Sequence, residues 1–322
     1  MGKVPMGPEI TSNDSGKQPI EINPAGAAQT TTDRIFLGPN GLRAGWRVLV
    51  FLAICVVIFL SLSLVKPLQH FLQSQSLKGG IPPLFAIVSE LYQLVPVILA
   101  AAIMTLVEKR SFADYGLPLN QAFGKRFWQG VPLGFAMLSL LLAVIWVLHG
   151  FSLEGLALSG GEAVKYGLPW AIVFLLTGIF EEFTFRGYLQ STLASGIGFW
   201  PAAIILAVLF GAIHLNNFGE ATIGACMAAC FGFVATFSLW RTGNIWFAIG
   251  MHAAWDWGES FFYGVPDSGA VAQGHLLNSS LHGANWLTGG TVGPEGSWLV
   301  LPVLLLMAAA IHFIFPKRSS GT

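Results

Sequence analysis

Residues 170–186 read Trp-Ala-Ile-Val-Phe-Leu-Leu-Thr-Gly-Ile-Phe-Glu-Glu-Phe-Thr-Phe-Arg, an apolar segment that contains two adjacent carboxylates, Glu181 and Glu182. Charged groups are costly inside a bilayer, so they face a partner or a water-filled cavity and mark a functional site by default. Later apolar segments carry three more ionisable groups: His214, His252 and Asp256. We therefore expect these groups to form one active site.

The composition indicates a polytopic membrane protein. Of 322 residues, 54% are hydrophobic and 10% charged, and the mean hydropathy is +0.67, which excludes an ordinary soluble domain. A helix needs about 20 apolar residues to cross a hydrocarbon core of about 30 Å. The sequence therefore predicts an all-α bundle of about eight transmembrane helices. Their predicted positions are 46–65, 84–107, 127–148, 167–185, 199–213, 221–239, 245–262 and 298–315.

The chain divides into a tail and one membrane domain. Residues 1–40 are polar and show no apolar period, so they are predicted to be a disordered tail. Residues 41–318 form the predicted transmembrane domain. Lys and Arg concentrate on the cytoplasmic side of bilayer proteins. If the amino terminus is cytoplasmic, 13 of the 16 Lys and Arg lie on that side and only Lys66, Lys78 and Lys165 lie outside. We therefore expect both termini in the cytoplasm.

The spacing of the charged residues predicts which of them pair. Glu182 and Arg186 are four residues apart, so on a helix they share a face and can form a structural ion pair. Glu181 points about 100 degrees away and is expected to stay unpaired and reactive. The alternative is that Arg186 neutralises both glutamates, since one guanidinium can serve two carboxylates. His252 and Asp256 are also one turn apart, so the carboxylate either orients the imidazole or only helps tie two helices together.

Helix lengths predict that these groups share one layer of the membrane. Counted from a turn at 194–198, Glu181 and His214 lie roughly 20 to 24 Å from the same face, at 1.5 Å per residue. His252 and Asp256 lie roughly 12 to 18 Å from that face, a gap that side-chain reach and helix tilt must close. His214 also ends its apolar segment, so it could instead be an interfacial or capping residue.

These motifs resemble those of the CPBP intramembrane proteases, which include the CAAX prenyl endopeptidases and the bacterial bacteriocin-immunity, or Abi, proteins. Residues 181–186 match the Glu-Glu-x-x-x-Arg motif of that family, and Phe210-x-x-x-His214 matches its second motif. His252-x-x-x-Asp256 matches its third, which more often ends in Asn. Asp256 can therefore act as a hydrogen-bond donor, as Asn would, or as an anion or ligand. The resemblance covers a motif core of about 165–260.

The resemblance implies an endopeptidase that hydrolyses a peptide bond with activated water. It assigns Glu181, assisted by His214, as the base, and His252 and Asp256 as groups that stabilise the oxyanion. Phe210 would support His214 from one turn away. Two versions stay open: a zinc enzyme whose ligands are His214, His252 and Glu181, and a metal-free glutamate enzyme. No His-Glu-x-x-His motif is present, which excludes the usual zincin layout.

The resemblance also implies the partners and the place of action. We expect a protein or peptide substrate, lipidated or membrane-embedded, in a bacterial plasma membrane, and no nucleic acid, because no basic patch is evident. The alternatives are a proton-coupled transporter, in which the same ionisable groups relay protons, and a non-catalytic immunity-type membrane protein. The Gly-rich segment 263–295 is expected to be a flexible external loop, with substrate gating as the alternative.

Overall fold

The computed structural model describes residues 36–38, 41–74, 79–215 and 222–316, in two compact units, 1–42 and 43–322. In the first unit, two short antiparallel strands, β1 (Leu37–Gly38) and β2 (Gly41–Leu42), pair with each other. The predicted disordered tail, 1–40, lies almost wholly outside the described residues.

The described part of the second unit is mainly helical. The first six helices are α1 (Ala44–Ser63), α2 (Lys66–Ser74), α3 (Pro83–Glu108), α4 (Lys125–Val147), α5 (Gly160–Glu182) and α6 (Gln190–Ile197). The remaining five are α7 (Phe199–His214), α8 (Thr222–Thr242), α9 (Trp246–Trp257), α10 (Asn285–Thr288) and α11 (Val300–Ile314). Gly198, with φ +89°, makes the turn between α6 and α7, a backbone conformation that favours glycine.

Five helical segments of the described chain are long and apolar enough to cross a membrane: Ala44–Ser63, Pro83–Glu108, Lys125–Val147, Gly160–Ile197 and Thr222–Thr242. The predicted all-α membrane bundle is thus confirmed. Two other predicted spans are shorter apolar helices, α7 with 16 residues and α11 with 15. At 1.5 Å per residue they are roughly 22 to 24 Å long, less than a hydrocarbon core of about 30 Å.

The remaining predicted span, 245–262, is a helix enclosed by protein. Every residue of α9 from Trp246 to Asp256 is buried, and the helix packs against α4, α5 and α8. A helix that is apolar all round is typical of a protein interior. His252 and Asp256 on α9 therefore lie inside the bundle rather than against lipid.

Two π-helical turns, with their wider i→i+5 hydrogen bonding, follow the helices that carry the motifs. Phe183–Leu189 continues α5 into α6, and Gly258–Tyr263 continues α9. Such turns often occur at functional sites. Arg186 lies in the first turn, shortly after the paired glutamates. Glu259 lies in the second turn, shortly after Asp256.

Glycines on α4 allow the backbones of α4 and α9 to contact each other directly. A Cβ on Gly130 would lie 2.1 Å from the carbonyl oxygen of Phe247, and a Cβ on Gly134 would lie 1.9 Å from that of Met251. Both distances are far shorter than atoms tolerate, so only glycine permits this crossing. Because Met251 precedes His252, the contact also sets the position of the histidine.

We predict that Gly134→Ala lowers the midpoint of thermal unfolding in detergent. The added methyl group must push α4 away from the Met251 carbonyl, and overpacking of this kind costs about 1 to 3 kcal/mol. Gly161→Ala is the matched control, since a Cβ there meets no atom within 4 Å and alanine favours the helix. Equal midpoints for the two variants would contradict the close crossing.

The segment 263–295 is packed, unlike the expected flexible loop. Strand β3 (Phe151–Leu156) pairs antiparallel with β4 (Leu277–Leu281) in a ribbon. Val265, Ala272 and Val292 are buried beneath the surface of the segment. Apolar side chains that the sequence scatters among glycines therefore fix this segment against the helices.

Candidate active site

The predicted site residues line one cavity of about 230 Å³ inside the second unit: Glu181, Phe210, His214, His252 and Asp256. Apolar side chains form much of its wall, among them Trp170, Phe174 and Phe231. Residues from α5, α7 and α9 thus meet in one layer. Such a cavity, with a few polar groups on an apolar wall, is the usual form of a small binding or active site.

His252 lies at the centre of three carboxylates. Its Nδ1 is 2.9 Å from Oε1 of Glu182, and its Nε2 is 3.4 Å from Oδ2 of Asp256 and 3.6 Å from Oε2 of Glu181. An ionised carboxylate can only accept, so Nδ1 carries the hydrogen and donates it to Glu182. This bond fixes the ring and directs Nε2 toward the other two carboxylates.

Glu182 and Arg186 form a contact that is closed off from solvent. Nη1 of Arg186 is 3.4 Å from Oε1 of Glu182, and the two residues are 1% and 0% exposed. Nε of Arg186 donates to the Gly232 carbonyl at 3.3 Å, and the guanidinium lies 4.3 Å from the centre of the Phe210 ring. A Cβ on Gly232 would come within 2.4 Å of Nη2, so the glycine makes room for the arginine.

Glu181 differs from the expected unpaired carboxylate. Within the described chain it forms no ion pair with Arg186, as its direction on the helix predicts, but it lies beside His252. Its side chain is 18% exposed, in contrast to the fully buried Glu182. The sequence could not anticipate the contact with His252, because it depends on how α9 packs against α5. Glu181 is therefore the carboxylate of the pair that water can reach.

His214 ends α7 and is held by its own helix. Its Nδ1 lies 2.7 Å from the Phe210 carbonyl oxygen, an acceptor, so Nδ1 carries the hydrogen. In the neutral ring this leaves Nε2 as an acceptor. The Phe210 ring packs on His214 with 4.5 Å between ring centres and also contacts Arg186, so one phenylalanine supports both groups.

Three carboxylates that the sequence analysis missed also line the cavity: Glu90, Asp267 and Glu295. Glu90 lies in the interior of the apolar helix α3, whose other acid, Glu108, is its last residue, so the rule that singled out Glu181 would also have found Glu90. Asp267 and Glu295 lie in the segment expected to be a flexible loop, where the sequence carries no such signal. Loss of hydration and the charges of Asp256 and Glu295 raise the pKa of the Asp267 carboxyl well above its usual range.

The predicted zinc ligands do not converge. Within the described chain, the group of metal-ligating side chains whose donor atoms all lie within 4.8 Å of one another is Asp256, Asp267 and Glu295. The donor atoms of His214, His252 and Glu181 do not form such a group. Zinc also favours nitrogen and sulfur donors over an all-carboxylate set.

The fold and the cavity define a class: a helical membrane protein with a glutamate and histidine site inside the bundle. Within it, residues 163–258 match the family model described as type II CAAX prenyl endopeptidase Rce1-like. The matched region contains all three motifs, from Glu181 to Asp256, which confirms the predicted resemblance to the CAAX protease family. No curated protein and no solved structure matches the chain. The similarity and the long apolar helices indicate an integral membrane protease that acts on a protein or peptide.

Proposed function

We propose that the chain is an intramembrane endopeptidase in which Glu181 activates a water molecule. The observation that carries this proposal is the meeting of Glu181, His214, His252 and Asp256 in one largely apolar cavity. Peptide hydrolysis needs a base for water, a donor to the oxyanion and a proton for the leaving amine. The cavity offers a group for each of these tasks.

Each task follows from the observed contacts. Glu181, the partly exposed carboxylate, takes the proton of the water, and the acceptor Nε2 of His214 assists. Water oxygen attacks the carbonyl carbon, and the carbon–nitrogen bond breaks as Glu181 returns the proton to the amine. His252, with carboxylates at both ring nitrogens, acts in this scheme as an imidazolium that carries a hydrogen on each nitrogen. Its Nδ1 donates to Glu182, and its Nε2 donates to the developing oxyanion.

Water is the proposed nucleophile because the two serines of the cavity, Ser260 and Ser268, hydrogen-bond to carboxylates and not to His214 or His252. The Ser260 hydroxyl donates to Asp267 at 3.0 Å rather than to a histidine. In the part of the chain that the structure describes, Ser152 and Ser280 contact a histidine, His282, and they lie on or next to the β3–β4 ribbon. A serine nucleophile of the usual design pairs with a histidine base, and in the described chain neither cavity serine makes such a contact.

The surroundings favour a substrate that reaches the site through the membrane. The cavity wall is apolar, and α9 brings the catalytic layer inside the bundle. We propose a membrane-embedded or lipidated protein as substrate and the bacterial plasma membrane as location. The distribution of Lys and Arg supports cytoplasmic termini.

Hydrolysis in oxygen-18 water tests the reaction. The purified protein in lipid should cleave a peptide panel and place the label directly in the new carboxylate, without a covalent acyl-enzyme. His214→Ala and His252→Ala should each reduce the rate by orders of magnitude if the groups act as a unit. If peptide hydrolysis survives treatment with a chelator and metal analysis finds less than one zinc ion per chain, the metal-free version is supported. If hydrolysis is lost on chelation and only Zn²⁺ restores it, the zinc version is supported. Proton-coupled solute uptake without cleavage would contradict the proposal.

A further inference from the structure

A carboxyl group that the proposed reaction does not use lies in the catalytic cavity. Glu90 is in the interior of α3, a helix that packs against α5, and it lines the cavity together with Thr177 and Glu181. Thr177 and Glu181 are four residues apart on α5, so they share one face of that helix. Two neighbouring helices therefore each present one carboxyl group to the same enclosed space.

Glu90 has no cation with which to pair. Within the described chain it forms no ion pair, and its Oε2 is shielded from solvent and has no hydrogen-bond partner. No Lys or Arg is among the described residues that line the cavity. His252 is already in contact with three other carboxylates: Glu182 at 2.9 Å, Asp256 at 3.4 Å and Glu181 at 3.6 Å. An ionised Glu90 would therefore be a charge without a partner, which is costly in such surroundings.

These surroundings divide the two glutamates into a base and an acid. Carboxyl groups that share an apolar site do not both ionise, because each charge repels the other and loses its hydration. Glu181 has His252 beside it and is partly exposed to water, so Glu181 is the carboxyl group that ionises. Glu90 has no such partner and keeps its proton. Surroundings that separate two carboxyl groups in this way assign the acid and the base of an enzyme.

We propose that Glu90 is the general acid that protonates the leaving amine, an inference that rests on the proposed peptide hydrolysis. Water oxygen bonds to the carbonyl carbon while Glu181 takes a proton from the water. When the carbon–nitrogen bond breaks, its electron pair stays on the nitrogen, which takes the proton of Glu90. The proton on Glu181 then passes to Glu90, which restores both groups. Glu181 thus returns its proton to the amine by way of Glu90 rather than directly.

Two substrates with different leaving groups test this role. One is the peptide of the panel that the wild type cleaves fastest, and the other is the same acyl segment as a para-nitrophenyl ester. An amine needs a proton in order to leave, whereas nitrophenolate leaves as an anion. Glu90→Gln should slow hydrolysis of the peptide by about 10²- to 10⁴-fold, the usual contribution of a general acid, and leave hydrolysis of the ester near the wild-type rate. Glu181→Gln should slow both reactions, because both need activated water.

Two further measurements separate the loss of an acid from the loss of the fold. Glutamine has the size of glutamate and is uncharged, as a protonated carboxyl group is, so Glu90→Gln should keep the wild-type midpoint of thermal unfolding. Its infrared spectrum should lack one band of a protonated carboxyl group that the wild type shows. Glu162→Gln is the matched control, because Glu162 is an exposed glutamate paired with Lys165. It should keep that band and hydrolyse both substrates as the wild type does.

Several results would overturn the role of Glu90. Hydrolysis of the peptide at the wild-type rate by well-folded Glu90→Gln is one, and an unchanged infrared spectrum, which would show that Glu90 is ionised, is another. An equal loss on the peptide and on the ester, or a midpoint well below that of the wild type, would show that Glu90 only supports the shape of the site. A wild type that shows the carboxyl band but cleaves no peptide would instead remove the proposed hydrolysis, and with it the reaction that Glu90 serves.

Discussion

Glu181→Gln is expected to fold normally and to lose peptide hydrolysis by about 10²- to 10⁴-fold, the usual contribution of a general base. Glutamine keeps the size of the side chain and can still lie beside His252, 3.6 Å away in the wild type. It cannot take a proton from water. Because Glu181 is partly exposed to the cavity and carries no buried ion pair with Arg186, its charge contributes little to the fold.

To check this expectation, the rate of hydrolysis of one cleavable peptide is measured for each variant, together with the midpoint of its thermal unfolding. Glu162→Gln is the matched control, since it makes the same change on the same helix at an exposed ion pair with Lys165. It should retain full activity. Hydrolysis at the wild-type rate by well-folded Glu181→Gln would remove the proposed base.

Local features of the sequence were enough to predict the helices and the pairing within each motif. Apolar length located the long apolar helices, because bilayer and bundle interiors exclude polar backbone, but it did not locate the short helices α2, α6 and α10. Four-residue spacing placed Glu182 beside Arg186 and His252 beside Asp256. Both are contacts within one helical segment, where sequence separation determines distance.

The sequence could not predict contacts between segments that are distant along the chain. The hydrogen bond from His252 to Glu182 joins residues 70 positions apart, and it depends on the crossing of α9 with its neighbours. The π-helical turn at Phe183–Leu189 has no sequence signature of its own. Asp267 and Glu295 reach the cavity only because Gly293 lets two loop segments touch.

The difference between contacts within one helix and contacts between distant segments also explains why the predicted zinc ligands do not converge. His214, His252 and Glu181 lie at compatible depths along their helices, but depth leaves the direction of each side chain open. In the structure the donor atoms of these three side chains do not all lie within 4.8 Å of one another. The side chains whose donor atoms do converge are carboxylates, two of them from the segment expected to be flexible.

Arg186→Ala is expected to destabilise the protein by about 3 to 5 kcal/mol, the usual cost of removing one member of a buried ion pair. The substitution leaves Glu182 fully buried, with His252 as its remaining partner and its Oε2 unsatisfied. It also removes the contact of the guanidinium with Phe210 and leaves the Gly232 carbonyl without its arginine donor.

The yield of folded protein and the thermal midpoint measure this effect, with Lys165→Ala as control. Lys165 also pairs with a glutamate on a helix, at 3.0 Å from Glu162, but in solvent, where such a pair contributes about 0 to 1 kcal/mol. The double variant Glu182→Gln with Arg186→Met should recover much of the lost stability, because no buried charge is left uncompensated and glutamine can still accept from His252. Arg186→Ala with a wild-type midpoint would show that the buried contact does not hold the fold, and that Glu182 is neutralised by His252 alone.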